Sequence, residues 1–181
     1  NQKEGGWNND NFVEYPKLQR VYVAPKLYFD AGKNLQIVLG GQYTFETRLG
    51  GTLQYIKGRN DSVYNYFEQN GTHQAITNFL LEYNLHSKGK ITVRQAMNYF
   101  NRTIALPDYK FHGVQLASVS EVSYSFTKNN HTVIAGVDVR TDAFQDKIKD
   151  TVAHRNYSYQ TLGFFMQYTG RFKRGTTLEA G

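Results

Sequence analysis

Acids and bases in this chain recur by twos: Asp138, Arg140 and Asp142 alternate with Val137, Val139 and Thr141. Glu46, Glu82, Asn84, Arg94, Glu121, Gln167 and Arg171 fall on the polar side of the same kind of alternation. A strand sends successive side chains to opposite faces, so this spacing gathers charge on one face of an extended segment. Charges this frequent cannot sit unpaired in a dry core. They suit a wet lumen, or contact with a polar plug that fills one. The other reading is the solvated face of an ordinary sheet, whose opposite face would then need a covering layer.

Catalytic chemistry has no matching pattern. The five histidines, His73, His86, His112, His131 and His154, are scattered, without the H-x-x-x-H spacing of a metal site. No Gly-x-Ser-x-Gly, phosphate-binding loop or dinucleotide fingerprint occurs. Gly40-Gly41 and Gly50-Gly51 read as bulges, bends or close strand contacts. The clustered Ser/His/Asp or Asp/His sets of barrel phospholipases, palmitoyltransferases and omptin proteases are not evident. The reading is therefore a non-enzyme, with no catalytic or metal-ligating residue and no cofactor.

Recognition chemistry is more visible. Val63-Tyr-Asn-Tyr-Phe67 is an aromatic cluster in a polar link, while Arg102, Arg155 and Tyr157 flank two other links. Tyr64, Tyr66, Phe67, Arg102, Arg155 and Tyr157 are thus candidate ligand-binding residues, since binding groups gather on loops held by a rigid scaffold. Aromatics with cations suit an anionic, ring-bearing ligand. Anchoring at a membrane interface, or contact with lipopolysaccharide, uses the same residue types.

The elements that position these groups are long alternating runs. In 34–46, Leu35, Ile37, Leu39, Gly41, Tyr43 and Phe45 share one face, and Gln36, Val38, Gly40, Gln42, Thr44 and Glu46 share the other. Strands are expected over 18–30, from 34 towards 57 with an interruption at Gly50-Gly51, and over 74–86, 90–104, 112–127, 131–145 and 158–172. A last strand begins near Thr177. Turns fall at Asp30–Lys33, Ser87–Gly89, Thr127–Asn130 and Phe172–Gly175, long links at 58–73 and 146–157, and a medium link around Pro107. No helix is expected. Soluble sandwich strands usually run about five or six residues, whereas about 9–11 tilted residues cross a bilayer. Short turns alternating with longer links match a membrane barrel, while soluble sandwiches mix link lengths and use Greek-key crossings.

Bulk composition agrees. The chain has 181 residues, 14 Tyr and 12 Phe against one Trp, and many of these aromatics fall near strand ends, as in the girdles of a barrel. No run approaches the roughly 18 apolar residues of a membrane-crossing helix. With no cysteine, disulfides and thiolate metal sites are excluded. The formal charge of +6 is spread out, partly into turns, and forms no stripe for nucleic acid. Asn-x-Ser/Thr sequons at Asn60, Asn70, Asn101, Asn130 and Asn156 read as chance in an Asn-rich bacterial barrel.

Gly163-Phe-Phe-Met-Gln-Tyr168, a turn and Thr177-Leu-Glu-Ala-Gly181 resemble a recurring hairpin of TonB-dependent outer-membrane receptors. His131-Thr-Val-Ile-Ala-Gly-Val-Asp138 and Glu121-Val-Ser-Tyr-Ser-Phe126 resemble strands just upstream in such barrels. The resemblance covers 18–181 in pattern and about 110–181 in recognisable words. It implies a 22-stranded barrel closed by a plug, in the outer membrane of a Gram-negative bacterium. Such receptors import a scarce nutrient (siderophore-iron, haem, cobalamin or glycan). It further implies the TonB–ExbB–ExbD energising complex as partner through the plug, with outer-membrane lipid, a small-molecule nutrient and a surface lipoprotein as other candidate partners. No plug and no TonB box are seen here.

The expected organisation is a loop segment, 1–17, followed by a barrel section, 18–181, incomplete at both ends. It is all-β, an antiparallel transmembrane meander of about eight strands from the larger barrel. Glu46, Glu82, Arg94, Glu121, Asp138, Arg140, Gln167 and Arg171 would face the lumen or plug. Two alternatives remain open: a self-contained eight-stranded outer-membrane barrel of structural or adhesive role, and a soluble β-sandwich or lectin-like binding module.

Overall fold

The computed structural model describes residues 11–59, 65–85, 89–148, 155–172 and 175–181. Its elements are β1 (Lys17–Val23), β2 (Lys26–Ala31), β3 (Leu35–Gly51), α1 (Leu53–Ile56), β4 (Phe67–Asn84), β5 (Gly89–Leu106), β6 (Tyr109–Lys128), β7 (His131–Asp146), β8 (Tyr157–Arg171) and β9 (Thr177–Ala180). They form one antiparallel sheet in the order β1-β3-β4-β5-β6-β7-β8-β9, with β2 also beside β3. From β3 onward each strand pairs with its successor in sequence, so the fold is a meander. The sheet is not closed: β1 and β9 stand at opposite ends of the order.

The 18–30 segment is one strand broken at Ala24-Pro25. Val23 opposite Tyr43 and Lys26 opposite Gly40 keep a common register. The Gly41 N–H donates to the Pro25 carbonyl at 3.0 Å, but proline has no N–H to return, which removes one ladder bond. The interruption is tolerable because this strand lies at the sheet's edge.

At three places the sequence expectation needs correction. First, β3 ends at Gly51 instead of continuing towards 57. Gly51 has φ 136°, and a Cβ there would lie 2.7 Å from the Phe67 Cα, so the chain can leave the ladder only at a residue without one. One helical turn, α1, follows where no helix is expected. The link is pinned at its base: Thr52 N donates to the Tyr66 carbonyl at 3.0 Å, and Tyr55 stacks on Phe67 at 4.5 Å. Second, β4 starts at Phe67, inside the expected 58–73 link, because Phe67–Asn70 pair with Gly51–Arg48. Third, the link at Pro107 is a tight turn, with Leu106 directly opposite Tyr109.

Cross-strand register sorts the side chains. One row runs Leu39, Phe79, Gln95, Ser120, Val139, Leu162; the next runs Gly40, Asn78, Ala96, Val119, Arg140, Thr161. The first belongs to an outer face, the second to a polar face. Between the Leu35 row and the Tyr43 row, no charged side chain stands on the outer face among the described residues. Tyr83 and Tyr124 stand at one margin of this band, with Tyr168 just beyond, and Tyr43, Phe45 and Tyr99 at the other. From Tyr83 to Ala75, opposite Tyr43, is about 27 Å along β4 at the usual rise, or about 21 Å of height at a tilt near 40°. That approaches the apolar band of a membrane barrel, about 25 Å tall.

No second layer covers either face among the described residues. Val38 is the buried hydrophobic residue there, while Phe164 is 80% exposed and Met166 67%. This single-layer arrangement departs from the layered core of a soluble domain and matches a wall with lipid on one side and a lumen on the other. Phe79→Arg should therefore cost about 2–4 kcal/mol of folding free energy in lipid vesicles, while Asn78→Arg, one residue away on the polar face, should cost less than about 1 kcal/mol. Denaturant midpoints of the two variants test this, and equal losses would contradict the face assignment.

Candidate functional site

The polar face carries the chemistry. Arg94, Glu121 and Asp138 are successive cross-strand neighbours on β5, β6 and β7. Arg94 Nη1 donates to Glu121 Oε1 at 2.6 Å, and Arg140 Nε donates to Asp138 Oδ1 at 2.8 Å. Two carboxylates directly opposite one another repel, and an arginine on each offsets this, giving a neutral quartet at mid-height. Nearer the short turns, Lys90 Nζ donates to Glu82 Oε1 at 2.9 Å. Toward the long links, the Glu46 carboxylate accepts from Arg20 on β1 and Arg48 on its own strand. These pairs are partly exposed, with side-chain accessibilities from 13% to 67%. Each is accordingly a modest, salt-screened contribution.

Beside the quartet lies a hollow of about 570 Å³ whose floor includes Val38, Gly40, Asn78, Ala96 and Val119, with Arg94 and Glu121 at its side. Small residues in neighbouring positions leave this depression in the wall. At the long-link end a second hollow, about 580 Å³, gathers Glu46, Arg48, Glu68, Asn70, Arg102 and Tyr66. Arg102 Nη2 donates there to Asn70 Oδ1 at 3.1 Å. Tyr66 packs its ring against Phe12 at 5.9 Å.

A third cluster lies across β6, β7 and β8 at the same end. Gln115 Nε2 donates to both Asp142 carboxylate oxygens, at 2.9 and 3.0 Å, and to the Tyr157 hydroxyl oxygen at 3.1 Å. Phe111, Phe144, Tyr157 and Tyr159 form a continuous run of ring contacts. Gly113 makes room for it: a Cβ there would lie 2.6 Å from Phe111 and 2.7 Å from Phe144.

The candidate ligand residues thus divide. Tyr66 and Arg102 share the second hollow, and Tyr157 belongs to the third cluster. Arg102 on β5 and Tyr157 on β8 are separated by three strand spacings, about 14 Å, so they do not form one cation–aromatic site. Phe67 has the parity of the outer face and packs against Tyr55. Arg155 is exposed just before β8. Tyr64 lies outside the described residues. Of the expected lumen-facing set, Glu46, Glu82, Arg94, Glu121, Asp138 and Arg140 take part in the ion pairs above. Gln167, opposite Ile134, and Arg171, opposite Thr177, share the polar parity and are exposed.

Arg20, Arg48, Gln115, Phe111, Phe144 and Tyr159 are additions that sequence reasoning missed. Parity within each segment could have flagged them, but their cross-strand partners depend on register. The described histidines are on the outer face near its margins: Tyr43 Oη lies 2.9 Å from His73 Nδ1, and Tyr168 Oη 2.7 Å from His131 Nδ1. His112 Nε2 is 3.1 Å from Asn101 Oδ1. Among the described residues no group of three His, Cys, Asp or Glu side chains could hold a metal ion.

No protein-family profile and no curated protein matches the sequence. Among solved structures, the copper transporter OprC matches with a TM-score of 0.67 and 11% identity, over 90% of this chain and 29% of that one. At that identity the likeness is one of fold, and this chain spans less than a third of the transporter's length. The sheet is an antiparallel β-barrel meander, open at both edges.

The quartet makes a measurable claim about the polar face. Arg94→Met leaves Glu121 facing Asp138 and should cost about 0.5–1 kcal/mol at low salt. The loss should largely vanish at 1 M salt, where the screening length is about 3 Å. Denaturant midpoints at both salt concentrations provide the measurement.

Proposed function

We propose that this chain is part of the wall of an outer-membrane transporter of the TonB-dependent kind, importing a scarce nutrient through a wet, charged lumen. The observation that carries the reading is the contrast between its two faces. A band without charge, edged by tyrosines, backs directly onto rows bearing Arg94, Glu121, Asp138, Arg140 and Asp142. Lipid accepts the first face and excludes the second. The likeness to a copper transporter over a limited share of that protein supports a wall section. Copper itself is not carried over, because 11% identity speaks to fold alone.

Siderophore-iron, haem, cobalamin and glycans are the cargo classes considered, with energy supplied by a TonB–ExbB–ExbD complex through a plug outside this chain. The long-link end, with Tyr66, Arg102 and Tyr157, is the proposed outer mouth, and a surface lipoprotein is a candidate partner there. The role is binding and conduction, with no catalysis. A self-contained small barrel would need β9 to pair back onto β1, a pairing absent among the described residues. A soluble sandwich would need a second layer over the uncharged face.

Because the chain has no native cysteine, single-cysteine labelling tests the face assignment cleanly. In outer-membrane vesicles, Val137→Cys should resist a water-soluble maleimide while Asp138→Cys reacts readily. Comparable reaction at both positions would remove the membrane reading. Transport has its own assay: deleting the gene should abolish growth on one limiting iron, haem, cobalamin or glycan source, and a protonophore should stop the corresponding uptake in wild-type cells. Unimpaired growth on every such source would count against it.

A further inference from the structure

The aromatic run on β6–β8 has a chemistry different from the rest of the mouth. Phe111 and Phe144 stack at 6.3 Å between centroids with planes 8° apart, Phe144 and Tyr157 at 5.7 Å and 21°, and Tyr157 and Tyr159 at 5.0 Å and 30°. Near-parallel rings at this spacing are in the favourable offset range. The run ends at Tyr159, 65% exposed, and Asp142 is its direct cross-strand neighbour. Gln115 holds Asp142 in place through its amide N–H groups. A carboxylate offers about four acceptor positions, so acceptor capacity remains beside an exposed ring.

We propose that Tyr159, Asp142 and Gln115 form a subsite for a neutral polyhydroxylated ring, a saccharide unit, at the lumenal mouth of the wall. A sugar's C–H face stacks on a tyrosine, extending the aromatic run by one member, while its hydroxyls donate to the Asp142 carboxylate and the Gln115 carbonyl oxygen. Asp142 disfavours an anionic ligand here, in contrast to the expectation drawn from Arg102 and Arg155. Lys147 at the margin directs its ammonium to Gln145 Oε1 at 2.6 Å. An organic cation would be better served by converging ring faces, whereas these planes are within 30° of their neighbours. The subsite names a substrate class for the proposed transporter and rests on that reading for its place in the lumen.

The test is an array of neutral oligosaccharides (maltohexaose, cellohexaose, xylohexaose and mannohexaose) probed with the detergent-solubilised protein. At least one should be retained, and Tyr159→Ala and Asp142→Asn should each weaken that binding about tenfold or more with unchanged thermal midpoints. Retention of none at millimolar concentration, or equal retention by both variants, overturns the subsite. Binding of tetramethylammonium that disappears in the same variants also overturns it, as a cation site. A saccharide failure alongside the expected Val137/Asp138 labelling contrast removes the subsite alone; loss of that contrast removes the membrane reading.

Discussion

Pairing the interior backbone N–H and C=O groups with those of neighbouring strands is the constraint on which this single-layer sheet depends. That requirement forces long strands into an unbroken ladder and fixes the parity of every side chain. From β3 to β8 the ladder runs without a bulge, each paired residue facing a single partner on each strand it pairs with. A one-residue slip of β7 would carry Asp138 and Arg140 to the uncharged face. Register is therefore where the two-sided chemistry of the wall resides.

The polar face follows from the same ladder. Glu46, Glu82, Glu121 and Asp138 are held not by burial but by arginines and a lysine placed one strand over or two residues along. Such pairs contribute little each, yet they leave the centre of the face locally neutral while keeping it hydrophilic. This balance suits a lumen surface, and it concentrates distinctive recognition chemistry at the long-link end. There the ladder continues past the tyrosine margin, carrying the Glu46–Arg102 hollow on β3–β5 and the aromatic run on β6–β8. These lie too far apart to act as one site, so the long-link end presents a charged half and an aromatic half.

Packing in a single-layer wall is managed within the faces. At two glycines a neighbouring ring fills the gap: Phe111 and Phe144 lean over Gly113, and Phe165 over Gly136. This covers backbone that would otherwise be bare and fixes ring orientation without a second layer. Gly51 serves a different purpose, its positive φ releasing β3 into the Thr52–Tyr66 link.

The sequence alone determined which residues share a face, because alternation is a property of a single strand and needs no partner. It therefore placed Leu35, Phe79, Val137 and Phe164 together, opposed to Glu82 and Asp138, and indicated a meander from short turns rich in Gly, Asn and Lys. Strand ends were less legible: the Phe67 start and the tight turn at Pro107 arise from pairing with Gly51 and Tyr109, which lie on other strands. The pairing partners were decided only by tertiary structure. Arg20 meets Glu46, Gln115 meets Asp142 and Tyr157, and Arg102 stays away from Tyr157, because register, set cooperatively along the whole ladder, brings together residues that no local pattern relates.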